Sequence, residues 1–197
     1  NSFYDHLQGQ YNEVDNVNNS RQLLIESCDP AISIATKKAG KVGTSSCSII
    51  GKFIQTNDDA TSITSVPVVA TKEISSIDES QSETDIINSM SLKAYAPMIG
   101  EEPNKYKLLW NASVVNDTDG DVRRFSMLLV RSPFSNVVKT YIAEGKKSLK
   151  DTINAPKAKL NLCIKNGGLT SKNMGVSVNP NGANSSAVQI TPAGSCG

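Results

Sequence analysis

Apolar side chains at Phe3, Leu7, Tyr11, Val14, Val17 and Leu24 recur at steps of three, four or seven within Asn1–Ser27, the spacing of one helix face. Gly9 and the asparagines Asn12, Asn16, Asn18 and Asn19 are poor helix formers, so this helix depends on packing against another element. Asp29 and Pro30 then read as an N-cap followed by proline at the first helical position. With Gly40 as the stop, they predict a short helix over Ala31–Ala39. From Ser46 onward the period changes to short runs rich in Val, Ile, Thr and Tyr, bounded by Gly, Pro, Asn and Asp. Strands are predicted at Cys47–Thr56, Ile63–Thr71, Leu92–Met98, Tyr106–Val115, Val122–Arg131, Ser135–Ile142, Leu160–Lys165, Val176–Val178 and Ala187–Thr191. The clearest hairpin joins Tyr106–Val115 to Val122–Arg131 around Asn116–Asp121, where Asp119-Gly120 is a strong turn signal. Leu160–Lys165 is expected to be a central strand, and the acidic, Ser-rich stretch Lys72–Asp85 a surface excursion. Trp110, beside Leu108 and Leu109 in a predicted strand, reads as a core anchor.

The pattern implies an α+β chain: an N-terminal α-helix packed on an antiparallel β-sheet or sandwich, closed by a C-terminal disulfide loop. Residues 1–45 form the helical region and residues 46–197 the antiparallel β domain, together one globular unit.

The cysteines sharpen this picture. Cys28, Cys47, Cys163 and Cys196 form no CxxC, no Cys/His cluster and no zinc spacing, which leaves oxidative pairing in an exported protein ahead of four buried free thiols. Four cysteines allow three pairings, of which sequence proximity favours 28–47 and 163–196. A bridge from Cys28 to Cys47 encloses the short helix. One from Cys163 to Cys196 ties down the uncharged, Asn- and Ser-rich stretch Met174–Gly197, leaving an exposed polar loop suited to recognition.

Charge adds an asymmetry that the net value of +1 conceals. Residues 1–102 carry 7 basic and 14 acidic side chains, whereas residues 103–197 carry 13 basic and 5 acidic. Such a split is compatible with an anionic partner at Arg123, Arg124, Arg131, Lys146 and Lys147, or with attraction between neighbouring copies, but solvated surface of both signs is the favoured reading. The lysines are scattered and lack interleaved aromatics, which argues against nucleic acid as that partner. Asp117, Asp119 and Asp121 alternate around Gly120 as a weak calcium candidate. The EF-hand pattern needs Gly and Glu where Val122 and Leu128 stand, so a turn is the better reading and no metal or cofactor is expected. His6, the only histidine, has neither a second imidazole nor a fixed carboxylate partner, and no phosphate-binding glycine motif is present. The expectation is a non-enzyme.

Taken together, Asn1–Ser27 as the second half of a long N-terminal helix, and Asn161-Leu162-Cys163 with Gly194-Ser195-Cys196-Gly197 as the ends of a terminal loop, give a chain that resembles the soluble headpiece of a type IV pilin. The closest subclass is a minor pilin or a type II secretion pseudopilin. The resemblance implies a structural subunit that initiates, caps or decorates a filament, with other pilin subunits as partners and Phe3, Leu7, Tyr11, Val14 and Leu24 divided between neighbouring helices and the chain's own sheet. It further implies an upstream hydrophobic helix in the inner membrane before assembly, and an extracellular or periplasmic location. Two alternatives stand beside it: an extracellular ligand-binding or adhesin module whose Cys163–Cys196 loop meets a surface ligand, and a DNA-binding component of an uptake pilus.

Overall fold

A computed structural model describes residues 2–15, 49–70, 78–94, 104–116, 118–167, 173–180, 182, 184–191 and 196. Cys28, Cys47, Leu24, Asp117 and the predicted helix Ala31–Ala39 lie outside them. The architecture is mixed α and β. A six-stranded sheet is built from β1 (Ile49–Thr56), β2 (Ser62–Ala70), β3 (Leu92–Ala94), β4 (Asn104–Lys107), β6 (Phe125–Arg131) and β7 (Val138–Glu144). A four-stranded sheet holds β5 (Ser113–Val115), β8 (Leu160–Lys165), β9 (Met174–Val178) and β10 (Val188–Thr191). Every pairing between these strands is antiparallel. The first sheet runs β3-β2-β1-β6-β7, with β4 sharing the outer edge of β2 with β3, and the second runs β10-β9-β8-β5.

The larger sheet is covered on both faces, which explains why β6 is a nearly unbroken run of buried residues instead of an alternating one. Phe125, Met127 and Leu129 face a core shared with the smaller sheet, while Leu128 and Val130 face a second core beneath α2 (Glu83–Ser89) and α3 (Leu149–Asn154). In the smaller sheet Leu160, Leu162 and Ile164 turn inward, and Cys163 turns outward against Val115. The first core also contains Phe3, Leu7, Tyr11 and Val14 of α1 (Ser2–Asp15), whose neighbours are β1, β6 and β7 on one side and β10 on the other. Gln8 Nε2 donates to the Val188 carbonyl of β10 at 3.2 Å, so the helix takes up a hydrogen-bonding group that an edge strand otherwise leaves open.

Two tight contacts set the geometry. Gly51 lies so close to β6 that a Cβ there would stand 2.2 Å from the Leu129 carbonyl oxygen, and β1 carries its register irregularity at Ile49/Gly51. The β1–β2 turn reaches across to the smaller sheet, where Val114 N donates to the Ala60 carbonyl at 2.9 Å.

Several expectations are corrected. The run Tyr106–Val115 is not one strand: β4 pairs with β2, residues Leu109–Asn111 form a 3-10 turn, and β5 pairs with β8. The predicted hairpin therefore reduces to the single bridge Val115–Val122, although its turn closes with Asn116 N donating to Asp121 O at 2.8 Å. Trp110 is no core anchor, because positive φ at Trp110 and Asn111 (57° and 52°) turns the indole outward, 82% exposed. Of the stretch Lys72–Asp85 expected as a surface excursion, the described residues 78–85 do lie at the surface, and they run into α2. Its N-cap Ser82 accepts from Asp85 N, as Ser148 accepts from Asp151 N at the start of α3. Leu160–Lys165 is central, flanked by β9 and β5.

Candidate functional site

The polar side chains of α1 meet the larger sheet along one seam. Gln10 stands three residues after Leu7 and seven after Phe3, on the helix face that is buried. Its Oε1 accepts from Ser65 Oγ at 2.7 Å and from Lys52 Nζ at 3.2 Å. Lys52 also pairs with the Glu13 carboxylate, and burial brings its ammonium down to about 8 even with that partner against it. His6 stacks on Tyr106 with ring centroids 4.3 Å apart and planes 16° from parallel. Desolvation first, and the Lys52 charge second, hold the imidazole below its ordinary 6.5. His6 Nε2 and Tyr106 Oη are buried with no hydrogen-bond partner among the described residues. Further along, the Tyr11 hydroxyl shares a 2.6 Å hydrogen bond with Thr140 Oγ1, and burial pushes the phenol upward. At the C-terminal end of α1, Arg131 donates to the Val14 and Asp15 carbonyls. That guanidinium satisfies carbonyls which a helix end leaves open and sits at the negative end of the helix dipole.

Other basic residues expected to meet an anion are distributed differently. Arg123 donates to the Asn161 carbonyl at 2.8 Å and pairs with Glu144 at 3.3 Å, and Lys146 pairs with Asp58 at 3.0 Å. Arg124 and Lys147 are exposed. The structure thus commits Arg123, Arg131 and Lys146 to contacts within the chain; it brings Arg123, Arg124, Lys146 and Lys147 to one end of the β6–β7 pair, where Gly145 N donates to the Arg124 carbonyl at 2.7 Å, and leaves Arg131 at the other end. In the Asn116–Asp121 turn, Asp119 accepts from Asp121 N and from Asn116 Nδ2, each at 2.9 Å, so its carboxylate completes the turn.

Cys163 and Cys196 form a disulfide, which packs with Val115 on the outer face of the smaller sheet. At the end of the molecule where α1 begins, Leu109 and Trp110 project from the 3-10 turn between the buried Leu108 and Ala112. That shared end follows from register: His6 stacks on Tyr106, Tyr106 pairs with Ile63, and Leu108 N donates to Thr61 O.

Sequence reasoning missed Gln10, Lys52, Ser65 and Thr140 as contacts of the helix and missed the outward turn of Trp110. The helical position of Gln10 was a usable signal. Those of Lys52, Ser65 and Thr140 were not, because their partners are 42, 55 and 129 residues away in the chain. No protein-family profile, no curated protein and no solved structure matches this chain.

Proposed function

We propose that this chain is the headpiece of a pilin-type structural subunit, a minor pilin or pseudopilin, acting in the assembly, capping or surface contacts of an extracellular or periplasmic filament. The observation that carries the reading is the seating of α1: an N-terminal helix lies with its apolar face in the core of an antiparallel β body and its polar face, including Asp5, Asn12 and Glu13, outward. A disulfide that fixes the C-terminal end to a central strand fits the same reading and an oxidising compartment. In such a subunit Phe3, Leu7, Tyr11 and Val14 hold the headpiece to its helix, and the outward polar face meets the neighbouring subunit through charge. The acidic first half and basic second half of the chain suit copies stacked head to tail.

The test is to express the full-length gene in its native host with an epitope tag, shear surface filaments from the cells and probe both fractions. The chain is expected in the filament fraction, and its deletion is expected to reduce filament number or type II secretion. Recovery only outside the filaments, with filaments and secretion intact in the deletion strain, overturns the proposal.

A second reading, an extracellular ligand-binding module, draws on the exposed Leu109–Trp110 projection. Retention on a glycan or host-protein array by the isolated chain favours it. A DNA-binding role has less support, since Arg123, Arg131 and Lys146 are engaged within the chain.

A further inference from the structure

We infer that the Leu109–Trp110 projection is a docking tip for an anionic phospholipid surface. Leu109 is 55% and Trp110 82% exposed, two large apolar side chains adjacent on one turn, where scattered single residues are the norm. The turn is mounted rigidly. Leu108 N donates to Thr61 O at 2.9 Å, Ala112 N closes the turn onto Leu109 O at 3.0 Å, and Leu108 and Ala112 are buried on either side. Beneath it, Gly167 leaves little room for a side chain: a Cβ there would meet the Trp110 and Asn111 carbonyl oxygens at 3.1 Å. Two successive non-glycine residues are held at positive φ, a conformation that disfavours L-residues and persists only where its surroundings enforce it. The effect of that backbone is to place an indole in solvent when an ordinary strand would have alternated it inward or outward with its neighbours.

The surroundings select the occupant. Lys105 and Lys107 are exposed on β4, and Lys165 is exposed opposite Ser113 on the strand pair beside the turn. None of the three forms an ion pair among the described residues. The carboxylates of the neighbouring β1–β2 turn are engaged, Asp59 by Thr61 and Asn57, and Asp58 by Lys146. A projecting apolar tip preceded in the chain by Lys105 and Lys107, with Lys165 two residues before the Gly167 that underlies it, and with none of the three in an ion pair among the described residues, matches an anionic bilayer interface. The indole and the leucine enter the headgroup boundary, and the lysines reach the phosphates. A small-molecule or sugar site, by contrast, is concave and walls its ligand in, which a side chain at 82% exposure does not do. This inference stands independently of the filament reading.

Trp110 is the only tryptophan in the chain, so fluorescence excited to the red of tyrosine absorption reports the tip alone. The 197-residue chain is titrated with vesicles of phosphatidylcholine containing phosphatidylglycerol, with pure phosphatidylcholine vesicles, and with soluble heparin, at low and high salt. The expected result is a blue shift on the anionic vesicles alone, quenched by bromine-labelled acyl chains and reversed by salt. Trp110→Ala, followed by co-sedimentation, is expected to bind roughly tenfold or more weakly, as loss of one buried aromatic implies. A triple Lys105→Ala, Lys107→Ala, Lys165→Ala variant with unchanged thermal unfolding is expected to bind on the order of 100-fold more weakly at low salt. Absence of binding to anionic vesicles at low salt overturns the inference. So does a blue shift with heparin equal to that with vesicles, or one that appears on concentrating the protein alone, which assigns the tip to contact with a second copy.

Discussion

The α1 seam and the Leu109–Trp110 tip lie close together yet break the inside-apolar, outside-polar rule in opposite directions. In the seam, polar groups are buried: Gln10, Ser65 and Thr140 are each almost wholly covered, and Lys52 and His6 lose much of their water. Most of these groups find partners, so a buried amide and ammonium serve to fix where the helix lies along the sheet. At the tip, apolar groups are exposed and nothing within the described chain covers them. The difference is one of where the complement resides. The seam finds most of its complement within the molecule, His6 Nε2 and Tyr106 Oη excepted, and its residues are expected to affect stability. The tip is rigid but unfinished, and its residues are expected to affect binding.

The sharpest break of this comparison is Leu7→Ala. Leu7 is fully buried in the main core, so truncation is expected to lower stability by about 2–5 kcal/mol, read as a reduced urea midpoint. A loss well under about 1 kcal/mol means that α1 is not held as described. Next, Arg131→Ala removes donors from the last carbonyls of α1 and is expected to lower stability by about 1–3 kcal/mol, with hydrogen exchange rising first in α1. Exchange that rises equally in β9 would contradict a local role.

A smaller, pH-dependent effect isolates His6. Its folded-state pKa lies below the ordinary 6.5, so the unfolded chain binds the proton more tightly. Stability from this group is therefore complete above 6.5 and falls as the pH drops from there through the lower folded value. The drop in urea midpoint between about pH 7.5 and about pH 5.5 is expected to shrink in His6→Phe, which keeps the stack on Tyr106 without a titrating ring. An unchanged drop assigns the acid sensitivity to carboxylates instead. Smallest of all, Trp110→Ala is expected to change stability by no more than about 0.5 kcal/mol despite removing the largest side chain in the protein. A loss above about 1.5 kcal/mol would show that the indole is packed, and the contrast between seam and tip would collapse.

Much of the fold was legible because its signals are local. The stripe Phe3, Leu7, Tyr11 and Val14 marks the buried face of α1, and short apolar runs between turn residues mark β1, β2, β6 and β8, the last with the bounds Leu160–Lys165. The short helices α2 and α3 were not read, although Ser82 with Asp85 and Ser148 with Asp151 are capping signals. At seven and six residues the helices are too brief to show a 3.6-residue period. The hairpin expected from Tyr106 to Arg131 failed at its strands and not at its turn. Asp119-Gly120 closes a turn by local hydrogen bonding, whereas the partner of each flanking strand lies far off: Ile63 for Tyr106, Ile164 for Val114 and Lys52 for Leu129. For the site, the apolar helix residues could be listed from their spacing. Their polar neighbours could not, because a lone Lys or Thr in a strand carries no mark of burial.

Two properties followed from the sequence by itself. It determined the helix α1 and most of the extended segments, since propensity and turn chemistry act over a few residues. It also made oxidative pairing of its cysteines the favoured reading, from their number and spacing. Tertiary structure alone decided which strands became neighbours, and hence that Cys163 and Cys196 close on the outer face of the smaller sheet. It also decided that Lys52 is largely covered while Trp110 is exposed. Burial is a property of what lies opposite a side chain. For these residues what lies opposite, or does not, is set by chain segments dozens of residues away.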